Sequence, residues 1–503
     1  MEKPIVETLQ GKLSGSQESG LYHFKGIPFA QPPLGELRWK APAPPKAWKG
    51  VRSAEKFGPR AMQRPIFDDM QFRSDGMSED CLYLNIWTPT IERDQKLPVL
   101  VYFYGGGLFT GDGSEFRYEG VNMARRGVVA ITVNYRLNIF GFFAHPALTA
   151  ESPHNSSGNY GFLDQTAALE WIKHNISAFG GDPDRVTIAG ESAGSVSVSA
   201  QMVSPLSKDL IAGAIGSSGS LMGTLGARPL QEEEKKGLDF GQLIGATSLA
   251  ELRKIPADSL LRATSKVGLT HFAPTLDGHF FPKAPVAMYE AGEQAQIPLL
   301  IGWNSQESSE RAILKDAEPS PKNFKAAVEN LYGDQADQVL SVYQGTKPKE
   351  ILQAARDLAG DQFTGFSSWK WSDAHAQTAQ AVYRYYFTKA RPPLGFQDVP
   401  VDRPWLEGGA VHSAEIEYAM GNLSTNSVYN WTADDYQVSS IFQGYYLNFV
   451  KSGNPNGLGL PNWPALNKSQ IPQILHIGIP TELHPDVHRK RYLVLDQLRK
   501  EQK

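Results

Sequence analysis

Apolar positions along the chain fall into two rhythms. Short runs of aliphatic, β-branched and aromatic residues read as buried strands: Leu97–Tyr104 (LPVLVYFY), Gly127–Tyr135 (GVVAITVNY), Arg185–Ala189 (RVTIA), Ala212–Gly219, Ile297–Asn304 (IPLLIGWN) and Val382–Phe387 (VYRYYF). Other stretches carry helical spacing. Asp164–Gly180 places Ala168, Trp171, Ile172 and Ile176 on one face. Near the C-terminus Val438, Ile441, Phe442, Tyr445, Tyr446, Phe449 and Val450 follow one another in alternating steps of three and one. Strands alternating with helices predict an α/β protein whose central, mostly parallel sheet is covered on both faces. Residues from about 230 to 290 and from about 305 to 380 are charged and helix-prone, and read as insertions that cap the sheet. In the first of them Glu232 and Lys236 stand four apart, the spacing of a solvated helix face.

Smaller elements complete the pattern. PIVETLQGKLSG reads as two short strands about Gln10 and Gly11, and Cys81–Pro89 alternates as another. Gly26–Pro45 is too rich in Pro and Gly to be helical and reads as a surface wrap, whereas Lys490–Gln497 reads as a last strand. No repeat or low-complexity linker divides the chain, so residues 1–503 are expected to form one domain.

Composition narrows the function. The chain is 41% hydrophobic and 20% charged with a net charge of −4, and no basic stripe interleaves with aromatics, which disfavours nucleic acid as a partner. No apolar run approaches a membrane span. The N-terminal stretch MEKPIVETLQGKLSG has no apolar h-region, so no signal peptide is expected within it; a mature secreted or periplasmic form fits the same observation. Cys81 is the single cysteine, which excludes an intrachain disulfide. The pattern is silent on oligomeric state.

One junction carries chemistry. AGESAGSVSV, residues 189–198, sets Gly-Glu-Ser-Ala-Gly between a strand and a helical stretch. A Gly-x-Ser-x-Gly turn at such a junction lifts the serine, Ser192, above the sheet edge, where a base can activate it. Upstream, the strand Leu97–Tyr104 runs into YGGGLFTG, whose glycines can turn backbone N–H groups toward a substrate oxygen. Downstream, Glu307 lies just past the strand-like PLLIGWN, with Glu310 close behind; spacing alone does not separate them. For the base, His412 follows Gly408 and Gly409 in a loop of small residues, while His375, His476, His484 and His488 are its competitors. His484 and His488 are four apart, but Pro485 breaks the helix a metal pair would need, and no metal or organic cofactor is expected.

Taken together the motifs resemble the type-B carboxylesterases, over almost the whole chain. GIPFAQPPLGELRW, SEDCLYLNIWTP, VYFYGGG, NYGFLDQTAALEWIKHNISAFGGDPDRVTIAGESAG, GWNSQE, AVHSAEIEY and GNPN appear in that family's order. The resemblance implies the α/β-hydrolase fold and a serine carboxylic-ester hydrolase that works through an acyl-enzyme on small to medium apolar esters. It implies Ser192 as nucleophile, Glu307 as acid and His412 as base. Gly106, Gly107 and Ala193 would supply the oxyanion N–H groups, and Ser218 would lie beside the acid. Arg38 with Glu79, and Arg136 with Asp164, match the family's structural ion pairs. Animal members pair the cysteine matching Cys81, so its isolation here points to a bacterial member. Leu108 stands where the family most often has Phe; Leu108 and Phe109 are the expected pocket residues, with Leu108 beside the acyl group. Phe272, Trp369 and Trp371 are further aromatic candidates, open between packing and substrate contact. An intact triad disfavours a non-enzymatic scaffold on the same fold, while thioester, lactone and amide substrates stay open. Activity is expected to rise with pH as His412 loses its proton, at a midpoint of roughly 6–7.

Overall fold

The computed structural model describes residues 3–393, 409–468 and 472–501. Eleven strands form the main sheet: β1 (Ser16–Glu18), β2 (Leu21–Pro28), β3 (Tyr83–Thr88), β4 (Leu97–Phe103), β5 (Val129–Val133), β6 (Gly181–Glu191), β7 (Gly213–Ser217), β8 (Leu299–Asn304), β9 (Val382–Phe387), β10 (Gln473–Ile477) and β11 (Glu482–Pro485). Their spatial order is β11-β10-β9-β8-β7-β6-β4-β5-β3-β2-β1. From β5 across to β10 neighbouring strands are parallel, and antiparallel strands close both ends. After β4 the chain goes to β5 on one side and then returns to place β6 on the other. The crevice at the C-terminal ends of β4 and β6 is therefore a topological switch point, where open α/β sheets bind ligands.

Helices cover both faces of this sheet. The principal ones here are α1 (Tyr160–Asn175), α2 (Ala193–Val203), α3 (Phe366–His375), α4 (Ala433–Ser452) and α5 (Arg489–Glu501). Successive residues of a strand face opposite ways, and β7 illustrates both sides. Gly216 faces Ser195 of α2 and Trp371 of α3. Ser217 meets the Tyr385 hydroxyl at 2.7 Å, and the Tyr385 ring packs edge-on against Phe442 of α4. α4 is the helix anticipated from its three-and-one spacing; Thr432 and Asp435 close a capping box at its N-terminus. Further helices, including Leu230–Ile244, Ala257–Ala263, Pro321–Tyr332 and Pro348–Gly360, occupy the charged stretches between β7 and β9.

Two readings need correction. Lys490–Gln497 belongs to α5 and is not a strand. Tyr492, Leu493, Val494 and Leu495 are uniformly apolar and mimic a strand, but Tyr492, Leu495 and Leu498 are the buried set at helical spacing, and Leu493 is exposed. Tyr492 stacks on Trp369 and meets Trp303 edge-on, which fixes the helix face. Gly26–Pro45 contains a short 3-10 turn at Gly35–Leu37, and it is no mere surface wrap, because Phe29, Ala30, Arg38 and Trp39 are buried.

Both expected ion pairs form. Arg38 is bidentate to Glu79 at 2.6 Å for each bond, and Arg136 is bidentate to Asp164 at 2.7 and 2.8 Å. Asp164 also accepts the Arg136 backbone N–H at 3.0 Å, so this carboxylate pins the segment after β5 to the start of α1. Both residues of that pair are buried. Removing one partner leaves the other charge uncompensated, at a cost of about 3–5 kcal/mol, whereas replacing both with apolar groups need cost little. Asp164→Leu is therefore expected to lower unfolding stability by about 3–5 kcal/mol in denaturant titrations, and the double variant Arg136→Met/Asp164→Leu to recover most of the loss.

Candidate functional site

The site is built at the C-terminal ends of β4, β6 and β8. β6 stops at Glu191, and Ser192 takes φ 56° and ψ −123° before α2 begins at Ala193. A side chain with Cβ avoids this conformation, at a cost of about 1–3 kcal/mol. The turn is held by its neighbours: Ser192 N donates to Ser217 O of β7 at 2.8 Å, and Val196 N to Ser192 O at 3.0 Å. The flanking glycines are required by space. A Cβ on Gly190 would sit 2.4 Å from the Gly194 carbonyl carbon, and one on Gly194 2.1 Å from Phe103 O at the end of β4.

At the end of β4, Gly106 and Gly107 take φ 105° and 70°. Their N–H groups donate to no acceptor among the described residues. The Ala193 N–H opens α2 and has no intrahelical acceptor. Among the described residues these three backbone donors are thus without partners, the arrangement that can stabilise an oxyanion.

Two loops are zipped together to bring acid and base into register. Gln306 N donates to Ala410 O at 2.8 Å, and Ala410 N to Ser305 Oγ at 2.9 Å. Each bond lies within two residues of a functional side chain. Glu307 Oε1 accepts from Ser218 Oγ at 2.5 Å and from Asn304 N at 2.6 Å, and its Oε2 meets His412 Nδ1 at 2.6 Å. His412 Nε2 meets Ser192 Oγ at 2.9 Å. An ionised carboxylate only accepts, so Nδ1 carries the hydrogen and Nε2 is left to take the serine proton. Glu310 stands elsewhere, bonded to Arg356 Nε at 2.8 Å. His484 bonds Glu482 and stacks on His476, and His488 lies against Tyr386; among the described residues the histidine that bonds Ser192 is His412.

The charge around the imidazole goes beyond the triad. Glu191 Oε1 is 3.2 Å from His412 Nε2, and Glu415 is held by Asn304 Nδ2 at 2.5 Å. Burial pushes the Glu191 carboxyl up to about 8, with the Glu415 and Glu307 charges adding to it against the pull of His412. Glu415 is pushed up to about 7, by burial and by Glu307. Burial alone would lower His412, but the carboxylates of Glu191 and Glu307 outweigh it and push the imidazole up to about 9.

A cavity of about 350 Å³ opens over Ser192. Phe67, Met70, Phe109, Leu225 and Phe363 supply its apolar wall, and Asp69 and Arg117 a charged one. Phe109 lines the cavity, whereas Leu108, also expected there, does not. Its φ of 66° turns the side chain into the core, and its carbonyl accepts from Asn138 N at 2.8 Å. Phe272, Trp369 and Trp371 are packing residues: Phe272 meets Phe143 and Phe240, Trp369 stacks on Tyr492, and Trp371 meets Tyr289. Sequence reasoning missed Glu191, Glu415, Asp69, Arg117 and Phe363. Only Glu191 had a local signal, its place beside the serine.

Comparison with known proteins agrees with this geometry. The family model described as "Carboxylesterase family" matches residues 2–494. The chain belongs to the carboxylesterase family. It is 35% identical to the fumonisin B1 esterase of Sphingopyxis macrogoltabida, over 93% of this chain and 85% of that one. It is 32% identical to the para-nitrobenzyl esterase of Bacillus subtilis (strain 168), over 98% and 99% of the two chains. The solved structure of the Geobacillus stearothermophilus carboxylesterase EST55 at pH 6.2 superposes with a TM-score of 0.83 at 31% identity, covering 97% of this chain and 99% of that one. The fold is thus the α/β-hydrolase fold, and the protein is a carboxylic-ester hydrolase of the Ser-His-Glu type. Among the described residues no helix is long and apolar enough to cross a membrane.

The carboxylates around His412 change the pH expectation drawn from sequence. kcat/KM is expected to rise with pH as the imidazole loses its proton, because only neutral Nε2 accepts from Ser192. The midpoint is expected above the ordinary histidine value of about 6.5. Glu191→Gln removes one of the three carboxylates that raise it, so the pH–rate profile of that variant should shift toward lower pH. A wild-type midpoint at or below the ordinary value would contradict the role given to these carboxylates.

Proposed function

We propose that Ser192, His412 and Glu307 hydrolyse small to medium apolar carboxylic esters through an acyl-enzyme, within a single catalytic domain. The observation that carries this reading is the unbroken line of hydrogen bonds from Ser192 Oγ through His412 to Glu307, beside three unpartnered N–H groups. Ser192 Oγ attacks the ester carbonyl carbon as its proton passes to His412 Nε2. The carbonyl oxygen becomes an oxyanion, held by the N–H groups of Gly106, Gly107 and Ala193. Glu307 stabilises the imidazolium and fixes its tautomer, and Ser218 and Asn304 N keep the carboxylate in place. Collapse breaks the bond to the alcohol oxygen, which leaves with the Nε2 proton. A water molecule then gives a proton to Nε2 and attacks the acyl carbon. Ser192 regains its proton as the acid departs.

The apolar wall of the cavity supports apolar esters as substrates, and its volume of about 350 Å³ sets the scale of the groups that fit. Ser192→Ala is expected to abolish ester hydrolysis, on the order of 10⁶ in kcat, with the thermal transition retained. A covalent organophosphate should label the peptide that holds Ser192 and no other. Glu307→Gln should lower kcat by about 10⁴-fold, because an amide holds the wrong tautomer, while Glu310→Gln should stay near wild type. The opposite ranking would move the acid to Glu310. A panel of matched ester, thioester and amide substrates checks the substrate class.

A further inference from the structure

Residues Asp361–Gly365 form a turn of π-helix between the α-helices Pro348–Gly360 and Phe366–His375. Such turns are rare and cluster at functional sites. This one is fixed at both ends. Asp361 is buried, accepts from the Tyr343 hydroxyl at 2.8 Å and pairs with Arg491 of α5 at 3.1 Å. The carbonyl of Thr364 accepts from the hydroxyls of Ser367 and Ser368 at 2.9 and 3.0 Å. Ser368 Oγ in turn accepts from Gly219 N at 2.9 Å, one residue beyond the serine that holds Glu307. Phe363 is the aromatic side chain that this framework leaves uncovered: 42% of it is exposed, it lines the cavity over Ser192, and its ring stands edge-to-face against His412 at 4.9 Å.

Position follows from the reaction. The leaving oxygen must come within hydrogen-bond reach of His412 Nε2 to take its proton. A ring that packs on that imidazole and also faces the cavity borders the alcohol part of the ester. Phe109, which also lines the cavity, crowds Gly107, one of the oxyanion donors. We propose that Phe363 is a specificity-determining residue that contacts the alcohol group and favours flat, aromatic alcohols, whose rings pack against it edge-to-face or offset. The inference rests on the Ser192–His412–Glu307 reading above.

The test compares wild type with Phe363→Ala and with Phe363→Leu, which keeps an apolar side chain in the turn. Titration with diethyl 4-nitrophenyl phosphate counts working sites in each protein. kcat/KM per working site is then measured for benzyl acetate, ethyl acetate and ethyl hexanoate. The benzyl-to-ethyl ratio on acetate should fall by roughly tenfold in Phe363→Ala and by less in Phe363→Leu. The hexanoate-to-acetate ratio of the ethyl esters should stay unchanged, because the acyl chain lies elsewhere. An unchanged or increased benzyl-to-ethyl ratio overturns the inference. So does an equal loss on all three esters, which marks a residue acting only on the imidazole, and so does a change confined to the hexanoate-to-acetate ratio. A wild-type protein that neither titrates nor hydrolyses these esters overturns the esterase reading, and the inference with it.

Discussion

The backbone at Ser192 is the constraint on which the site depends. A serine at φ 56° and ψ −123° is unfavourable in isolation, and it persists because parallel strands clamp it from both sides. β7 takes the Ser192 N–H, while the end of β4 lies so close that Gly194 admits no side chain. That closeness places the glycines after β4 next to the serine. The switch point between β4 and β6 therefore sets the position of the hydroxyl and of its oxyanion donors together. Moving either strand would disturb both, which ties catalytic geometry to sheet packing.

Charge is handled by unequal partnering. Glu307 receives two hydrogen bonds, from Ser218 and Asn304, before it meets His412. Glu191 lies beside Nε2 of the imidazole at 3.2 Å, and among the described residues no hydrogen bond reaches its Oε1. Burial is the largest influence on its carboxyl and pushes it upward. Two carboxylates that approach one histidine are thus partnered unequally. The hydrogen-bonded one orients the ring through Nδ1, and the other lies beside Nε2.

Legibility in the sequence tracks how local each determinant is. The turn at Ser192 and the glycines after β4 are written in contiguous residues, because strain and close approach are local demands. The strands and α4 were legible for the same reason: burial imprints periodicity. Glu307 and Glu310 were inseparable by spacing because their difference lies in what meets them, His412 for one and Arg356 for the other. Leu108 was misplaced because side-chain direction follows from a φ of 66°, which residue type does not encode. α5 was misread because four consecutive apolar residues satisfy two periodicities, and only the rings of Trp303 and Trp369 choose between them.

What lines the cavity was least legible, and the architecture says why. The reacting groups stand on strand ends and the loops just after them, whose positions the sheet dictates. Much of the wall comes from farther away: Phe67 from the long connection before β3, Thr224, Leu225 and Thr270 from the connection between β7 and β8, and Phe363 from the helices between β8 and β9. The turn that carries Phe363 also carries Asp361, which pairs with Arg491 of α5, so α5 is tied to the wall over Ser192. None of these links leaves a periodic or motif signal, because each is a single contact across the fold. The same separation frees the wall to change without moving the strands, so selectivity can vary while the line from Ser192 to Glu307 is kept.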